Sequence, residues 1–425
     1  MHIMLIADGR SPITRRWTRS LQALGYEISL VSSFPCSPIE GVERFFVLPV
    51  AFSRLAGSQV SSAKPKDGAG SAPGSAAANM TSQLIRRFRS VLQRGRAFLG
   101  PVTLPFYGNA ISELVKSHQP DLVHALRIPY EGMLASYVPP EVPMVVSIWG
   151  NDLTLHAPSS PLMRYFTRRT VVRVEGLVAD VYRDLRVSKR WGFRDHCPTL
   201  VTLTSGGIDL SEMERVKAQN DEEIDALLPE DIPLIVNPRG LRPGYVRNDV
   251  FFRSIPLLLE RWTNVCFVCP SMQGQYEAEK WIKQLHIQEH VRLLPYLSQQ
   301  QLWSIFRRSQ ISVSLTTHDG TPNTLLEAMA LGCFPVVGDI ESLREWIVPG
   351  VNGMLIESDN PQALADALLL SLRRDELRIS AAQVNRRLVQ ERAEVGLLRS
   401  QLELFYSSVI SGGKESQPPD EKQVQ

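Results

Sequence analysis

The sequence predicts an α/β protein built from two doubly wound, Rossmann-like domains, and three observations predict it. Short apolar or β-branched runs alternate with helical patterns almost throughout, which indicates parallel sheets covered on both faces. The runs fall into two series, each the size of a doubly wound domain. At 425 residues the chain also exceeds what one ordinary core supports. The first series is "HIMLIA", "EISLVSS", "RFFVLPV", "DLVHAL", "PMVVSIW", "GLVAD" and "TLVTLT". The second is "IPLIVN", "NVCFVCP", "HVRLLP", "QISVSLT", "FPVVGD" and "GMLIE". Helical stretches such as "TRRWTRSLQALG", "QQQLWSIFRRS" and "NPQALADALLLSLRR" separate them.

The polar, acidic connection around 205–232 divides the two series. We expect an N-terminal Rossmann-like domain over 1–205 and a C-terminal Rossmann-like domain over 206–395. A C-terminal helix over 396–411 is expected to pack back on the first domain, followed by a disordered tail from 412 to 425. Residues 57–82 are rich in Gly, Ala, Ser and Pro, the composition of a disordered insertion. Next comes "SQLIRRFRSVLQRGRAFLGP". On a helix its Ile85, Phe88 and Leu92 share one face and five arginines crowd the others. Residues 83–99 are then either an interfacial helix touching anionic lipid or a surface helix with a solvated basic face.

Composition excludes several classes. The chain is 44% hydrophobic and 21% charged with a formal net charge of +2, so no basic excess points to nucleic acid. No apolar run reaches the roughly 18–20 residues that span a bilayer. The opening "MHIMLIADGR" has no basic leader and reads as a first strand, not a secretion signal. Five scattered cysteines fit a reducing cytoplasm. Cys266 and Cys269 form a C-x-x-C inside an apolar strand and read as core thiols. The expected location is cytoplasmic, with peripheral contact at the inner membrane face if 83–99 meets lipid.

The chemistry concentrates at "THDGTPNTLLEAMALG", residues 317–332. A strand ends, a loop turns, and a helix starts. Pro322 suits the first helical turn, Thr321 its N-cap, and Gly332 its C-terminus. Free N–H groups from Thr321 through Asn323 to Thr324, with the helix dipole, form an anion site, and Gly320 lets the backbone approach a ligand closely. Asp319 lies before the helix and Glu327 beyond its first turn. Neither occupies the anion site, and both can accept hydroxyl hydrogen bonds on either side of a bound phosphate. A nucleotide sugar has that layout. Asp319 also reads as an ordinary turn residue before glycine. Glu327, flanked by Leu325, Leu326, Ala328 and Met329, is poorly explained as a solvated helix residue.

The pair Asp319 and Glu327, followed by "AMALGCFPVVG" and "PGVNGMLI", resembles the E-x7-E signature of retaining family 4 glycosyltransferases, the glycosyl transferases group 1. "PDLVHA", "SIWGNDL", "SGGIDL" and "PRGLRPGYVRND" follow in that family's order, so the resemblance covers nearly the whole chain. It implies the GT-B fold, in which two Rossmann-like domains face an interdomain cleft. It also implies that Glu327 holds the nucleotide ribose, that Asp319 contacts the donor sugar, and that residues 320–325 line the donor. Arg239 matches the family's diphosphate-binding Arg. The usual Lys after it is missing, so Arg242 or Arg247 takes its place; an Arg clamps phosphate oxygens with two donors.

Three departures stand out. Asp319 is one methylene shorter than the usual Glu. Trp149 stands where a His is common, leaving His156 or His124 either as substitutes or as structural histidines. "DGRSPITRRW" lacks the first loop's paired glycines. Asp152 reads either as a helix cap or as a sugar-side residue, and Glu345 either as helical surface or as nucleotide-pocket lining.

The resemblance implies sugar transfer with retention from a nucleotide-diphosphate sugar to an acceptor hydroxyl on a glycan, a lipid-linked acceptor or a small molecule. Such transfer belongs to cell-surface polysaccharide or glycoconjugate synthesis. No metal or other cofactor is expected, since no D-x-D stretch is present. The rival readings are a non-catalytic nucleotide-sugar binder and a nucleotide-sugar 2-epimerase of the same fold. A dinucleotide-dependent oxidoreductase would want G-x-G-x-x-G after the first strand, which "IADGRSPITRRW" does not supply.

Overall fold

The computed structural model describes residues 1–56, 95–96, 98–217 and 222–412. The expected insertion at 57–82, most of the basic 83–99 stretch and nearly all of the tail from 412 lie outside them. The chain divides into two units. The first comprises 1–178, 185–200 and the chain from 402 on; the second comprises 179–184 and 201–401. The first unit therefore gives up 179–184, and the second begins at Val201, not at residue 206. The helix Tyr182–Arg190 carries the chain from the second unit back into the first.

All thirteen apolar runs form strands. The first seven are β1 (His2–Ala7), β2 (Glu27–Ser32), β3 (Arg44–Val47), β4 (Leu122–Ala125), β5 (Met144–Ile148), β6 (Gly176–Ala179) and β7 (Thr199–Val201). They make one sheet in the order β3-β2-β1-β4-β5-β6-β7. β1 runs parallel to β2 and β4, so Leu5 lies opposite both Leu30 and His124. Strand order reverses between β1 and β4, which is the switch point of a doubly wound sheet. The helix Pro12–Ala23 starts where Ser11 accepts the Ile13 N–H at 3.2 Å and Pro12 presets the first turn. It buries Trp17 edge-on against His124, with ring centroids 5.0 Å apart.

His124 is a structural histidine. Its ring nitrogens meet Tyr406 Oη at 2.7 Å and Ser147 Oγ at 2.9 Å, and burial pushes its pKa down to about 3. Tyr406 belongs to the helix Val395–Ile410, whose residues from Leu402 on pack in the first unit. Gly176 lets that helix close on β6: a Cβ there would sit 2.6 Å from Val409 Cγ2.

The second unit holds β8 (Leu234–Val236), β9 (Cys266–Cys269), β10 (Val291–Leu293), β11 (Ile311–Ser314), β12 (Phe334–Gly338) and β13 (Met354–Ile356), in the order β10-β9-β8-β11-β12-β13. Every pairing is parallel. One face buries Phe251, Phe252 and Leu368 from the helices Asn248–Leu259 and Pro361–Arg373. The other buries Phe306, Leu326 and Val389 from the helices Gln299–Arg308, Asn323–Ala330 and Asp375–Ala393. Burial on both faces explains why these strands are continuously apolar. Cys266 and Cys269 lie inside this core, and desolvation raises both thiol pKa values. Among the described residues, no helix is long and apolar enough to cross a membrane.

Candidate functional site

The second sheet reverses its order between β8 and β11, so the loops at the carboxyl ends of those strands frame its ligand position. The two loops are tied together. Arg247 N–H donates to Leu315 O at 2.9 Å, and Thr317 N–H to Tyr245 O at 2.8 Å. Within the loop after β8, Asn237 Nδ2 donates to Asn248 Oδ1 (3.0 Å) and Asn248 Nδ2 to Gly240 O (2.9 Å). Gly240 turns there with φ +61°. This frame delivers Arg239, which is buried, to Asp319: Nη2 donates to Oδ2 at 2.5 Å. The other Asp319 oxygen accepts the Gly320 N–H at 3.1 Å.

The Asp319 carbonyl is held as firmly as its carboxylate, by Arg183 Nη1 at 2.9 Å and Ser342 Oγ at 2.8 Å. Arg183 also pairs with Asp184 at 2.8 Å. Nothing in the motif spacing pointed to Arg183, 136 residues upstream.

The helix start differs from expectation. Pro322 occupies the N-cap with ψ 127°, the helix begins at Asn323, and no side chain caps it. Thr321 is not the cap because its hydroxyl is spent elsewhere: it accepts from Trp346 Nε1 at 2.9 Å and donates to Asp180 O at 3.3 Å. Asn323 Oδ1 accepts from Ser205 Oγ at 2.5 Å. Leu325 is buried, and its N–H closes on Pro322 O at 3.0 Å. Among the described residues, no acceptor meets the N–H groups of Thr321, Asn323 or Thr324. Arg239 Nε, Ser314 Oγ and Thr316 Oγ1 at the ends of β8 and β11, and Thr324 Oγ1 in the first turn of the helix, are buried without hydrogen-bond partners among the described residues. Buried polar groups are normally paired, so these loop ends have the character of a ligand site.

Glu327 is buried on the following turn, and Gln299 Nε2 donates to its carboxylate at 2.8 Å. Arg247 is clamped by Asp249 through two 2.9 Å bonds, whereas Arg242 is exposed, with Tyr245 Oη 3.4 Å away. Glu345 is not plain helical surface. Its carboxylate accepts the N–H groups of Tyr182 (3.0 Å) and Arg183 (3.1 Å), the opening of the helix Tyr182–Arg190. Asp180 accepts from Thr204 N (2.8 Å) and Oγ1 (2.6 Å). Part of Asp180 reaches solvent, yet desolvation of its carboxyl outweighs those bonds and, with Asp184 and Asp319 nearby, pushes its pKa up to about 7.

In the first unit, Asp152 is fully buried and engaged on both oxygens. It accepts from Arg127 Nε (2.9 Å), Trp149 N (3.1 Å) and Ile128 N (3.3 Å), tying the loops after β4 and β5 together. Trp149 lies under the Arg127 guanidinium, 4.7 Å from its ring centroid. His156 is held neutral by burial, its pKa pushed down to about 4. Among the described residues, no group of three His, Cys, Asp or Glu side chains is placed to hold a metal ion.

Residues 246–387 match the family model "Glycosyl transferases group 1". A GDP-mannose:cellobiosyl-diphosphopolyprenol alpha-mannosyltransferase of Xanthomonas campestris is 30% identical over 95 residues, 22% of this chain and 25% of that protein. A D-inositol 3-phosphate glycosyltransferase of Corynebacterium urealyticum is 28% identical over 142 residues, 32% of this chain and 34% of that one. The matched stretches thus span only a quarter to a third of these relatives' length.

Likeness of fold extends much further. Sucrose-phosphate synthase of Thermosynechococcus elongatus superposes with TM-score 0.69 at 12% identity, over 97% of this chain and 99% of that one. HepE of Anabaena in complex with UDP-glucose gives 0.63 at 14%, over 96% and 100%. A glycosyltransferase from Rickettsia africae gives 0.66 at 13%, over 98% and 99%. Residues 246–387 therefore carry the sequence of the Glycosyl transferases group 1 family, within a chain that has the two-domain GT-B fold of these neighbours.

Proposed function

We propose that the protein is a retaining glycosyltransferase that moves a sugar from a nucleotide-diphosphate sugar to an acceptor hydroxyl. The observation that carries this reading is the uncapped start of the helix Asn323–Ala330 beside Arg239, with partnerless Thr324 Oγ1 and Arg239 Nε at the same place. A diphosphate supplies acceptors for all of these donors at once. The relatives' names support the donor class: one is a GDP-mannose-dependent transferase, and the HepE structure holds UDP-glucose.

In this reading the leaving diphosphate gains negative charge as the glycosidic bond breaks. Arg239 and the amides of Thr321, Asn323 and Thr324 stabilise that charge without moving, which is the efficient form of electrostatic catalysis. Arg242 is the second phosphate ligand, because Arg247 already spends its fork on Asp249. Asp319, fixed through both its carbonyl and its carboxylate, holds a donor-sugar hydroxyl. Glu327, oriented by Gln299, holds the ribose. The acceptor hydroxyl attacks from the face the diphosphate leaves, and its proton goes to a diphosphate oxygen. The protein's own cations carry the leaving-group charge, so turnover needs no metal. Acceptors on glycans, lipids or small molecules in glycoconjugate synthesis all fit this chemistry.

A second reading, a non-catalytic nucleotide-sugar binder, draws on Asp319 being shorter than the usual Glu and already neutralised by Arg239. A panel of UDP-, GDP- and ADP-sugars, run with acceptors and with chelator, tests both. Transfer with retained anomeric configuration that survives chelation is the expected result. An epimerised donor, or binding without turnover, would overturn it.

A further inference from the structure

The first unit reverses its strand order between β1 and β4, so it too has a ligand position at the carboxyl ends of its strands. Polar atoms there are left over. Trp149, just past the end of β5, buries an indole N–H that meets no acceptor among the described residues, and the same is true of Arg96 Nε. Arg96 is half-buried. Its guanidinium lies 4.6 Å from the ring centroid of Tyr130, in the loop after β4, and 5.0 Å from that of Phe34, in the loop after β2. Tyr130 Oη donates to Arg96 O at 3.0 Å, and the Tyr130 backbone is left-handed, with φ +69°. That conformation is costly for an aromatic residue, and strain of this kind gathers at ligand clamps.

Charge at this position does not cancel. Arg10, 3.6 Å over the Phe34 ring, pairs with Asp8 at 3.0 Å, and Arg127, stacked on Trp149, pairs with Asp152 at 2.9 Å. Glu131 binds Ser33 Oγ, and burial pushes its carboxyl pKa up, which disfavours a negative charge there. Among the described residues, no carboxylate pairs with Arg96. Arg127 and Arg96 both add to the burial that lowers the His156 pKa to about 4, so the loops after β4 and β5 share one electropositive neighbourhood with Arg96. A half-buried guanidinium without a counter-ion, beside an unmet indole N–H, calls for an anion that accepts hydrogen bonds.

We propose that these loops hold the phosphate group of a phosphorylated ligand through Arg96 and the Trp149 N–H. The two donors stand on separate segments. A phosphate ester presents oxygens on several sides to meet them, whereas a carboxylate presents two in one plane. On the proposed transfer reaction, on which this assignment rests, that ligand is the acceptor, and the hydroxyl that receives the sugar belongs to a phosphorylated molecule.

The test follows the Trp149 indole N–H, assigned among the seven tryptophans with Trp149→Phe, and the backbone amides of 149–151. The full chain is titrated with glycerol 3-phosphate, with acetate and with glycerol. Glycerol 3-phosphate should shift these signals saturably, and the other two should not. Arg96→Gln should weaken that binding about tenfold, and Trp149→Phe, read at the Asn151 amide, roughly threefold. Sugar phosphates should be glycosylated in preference to the same sugars, and Arg96→Gln should shrink that ratio. Unmoved Trp149 signals, an equal response to acetate, or lower melting in Arg96→Gln with undiminished phosphate affinity would each overturn the site. Phosphate binding with equal use of neutral acceptors would overturn its assignment to the acceptor. Phosphate bound at Trp149 with no transfer to any acceptor would refute the transfer reaction and leave the anion site standing.

Discussion

The two units repeat one sheet design yet finish their carboxyl-end loops differently, although Trp149 Nε1 in the first unit is also buried without a partner among the described residues. In the first unit, Asp152 spends both oxygens on Arg127, Ile128 and Trp149, and Glu131 binds Ser33 Oγ at 2.6 Å. In the second, several amides and hydroxyls at and after the end of β11 have no protein partner among the described residues, although Arg239 and Asp319 are held in place beside them. Asp152 therefore acts as a structural brace, while the loop at 319–324 is a rigid frame with donors left over. A doubly wound sheet supplies the carboxyl-end loops, and the satisfaction of polar groups in them decides whether a loop serves cohesion or binding.

Substitutions should separate the two. Arg239→Ala and Glu327→Ala are expected to lower kcat/KM for a nucleotide-sugar donor by about 10²–10³-fold, the scale of losing one preorganised charge-stabilising group. Steady-state assays check this, with thermal melting showing an intact fold. Asp152→Ala should invert the pattern. Removing a buried carboxylate that three donors share, one of them a part-exposed guanidinium, should cost about 2–3 kcal/mol of stability by denaturant titration. Donor affinity of the folded fraction should be unchanged.

A finer contrast lies between two arginines of one loop. Arg242→Ala should raise the donor KM about tenfold, whereas Arg247→Ala, already committed to Asp249, should stay within about twofold; the reverse order would reassign the second phosphate ligand.

A pH dependence of stability is also expected. Asp180 has a folded pKa near 7 against 3.8 for its ordinary value. Between those values the folded chain holds a proton that the unfolded chain has released. Stability therefore falls as pH rises from about 4 to about 7 and levels off above. Solvent access at Asp180 limits this to roughly 1–2 kcal/mol. Asp180→Asn, which keeps an acceptor for Thr204, should flatten that part of the curve.

Much of this was legible in the sequence because periodicity reports burial directly. Each apolar run became a strand, and the loop from Thr317 to Gly332 fell at the end of β11 as its turn and helix residues required. Capping was misread because it was inferred from neighbours alone: Thr321 looked like an N-cap until Trp346 and Asp180, both distant in sequence, claimed its hydroxyl. Long-range polar partners leave no local signal. Arg183 on the Asp319 carbonyl, Gln299 on Glu327 and Glu345 at the start of the helix Tyr182–Arg190 belong to that class. The departures at Asp319 and Trp149 were visible as residues, but their consequences depend on Arg239 and Arg127, which only the fold brings alongside.

On the proposed function, the opening of the helix Asn323–Ala330 holds a nucleotide diphosphate. Backbone amide resonances followed during titration with UDP and with GDP test it most directly. The amides of Thr321, Asn323 and Thr324 should shift together and saturate with the nucleotide that supports turnover, and the shifts should be lost in Arg239→Ala. Saturable binding of that nucleotide with those three amides unmoved would contradict the assignment.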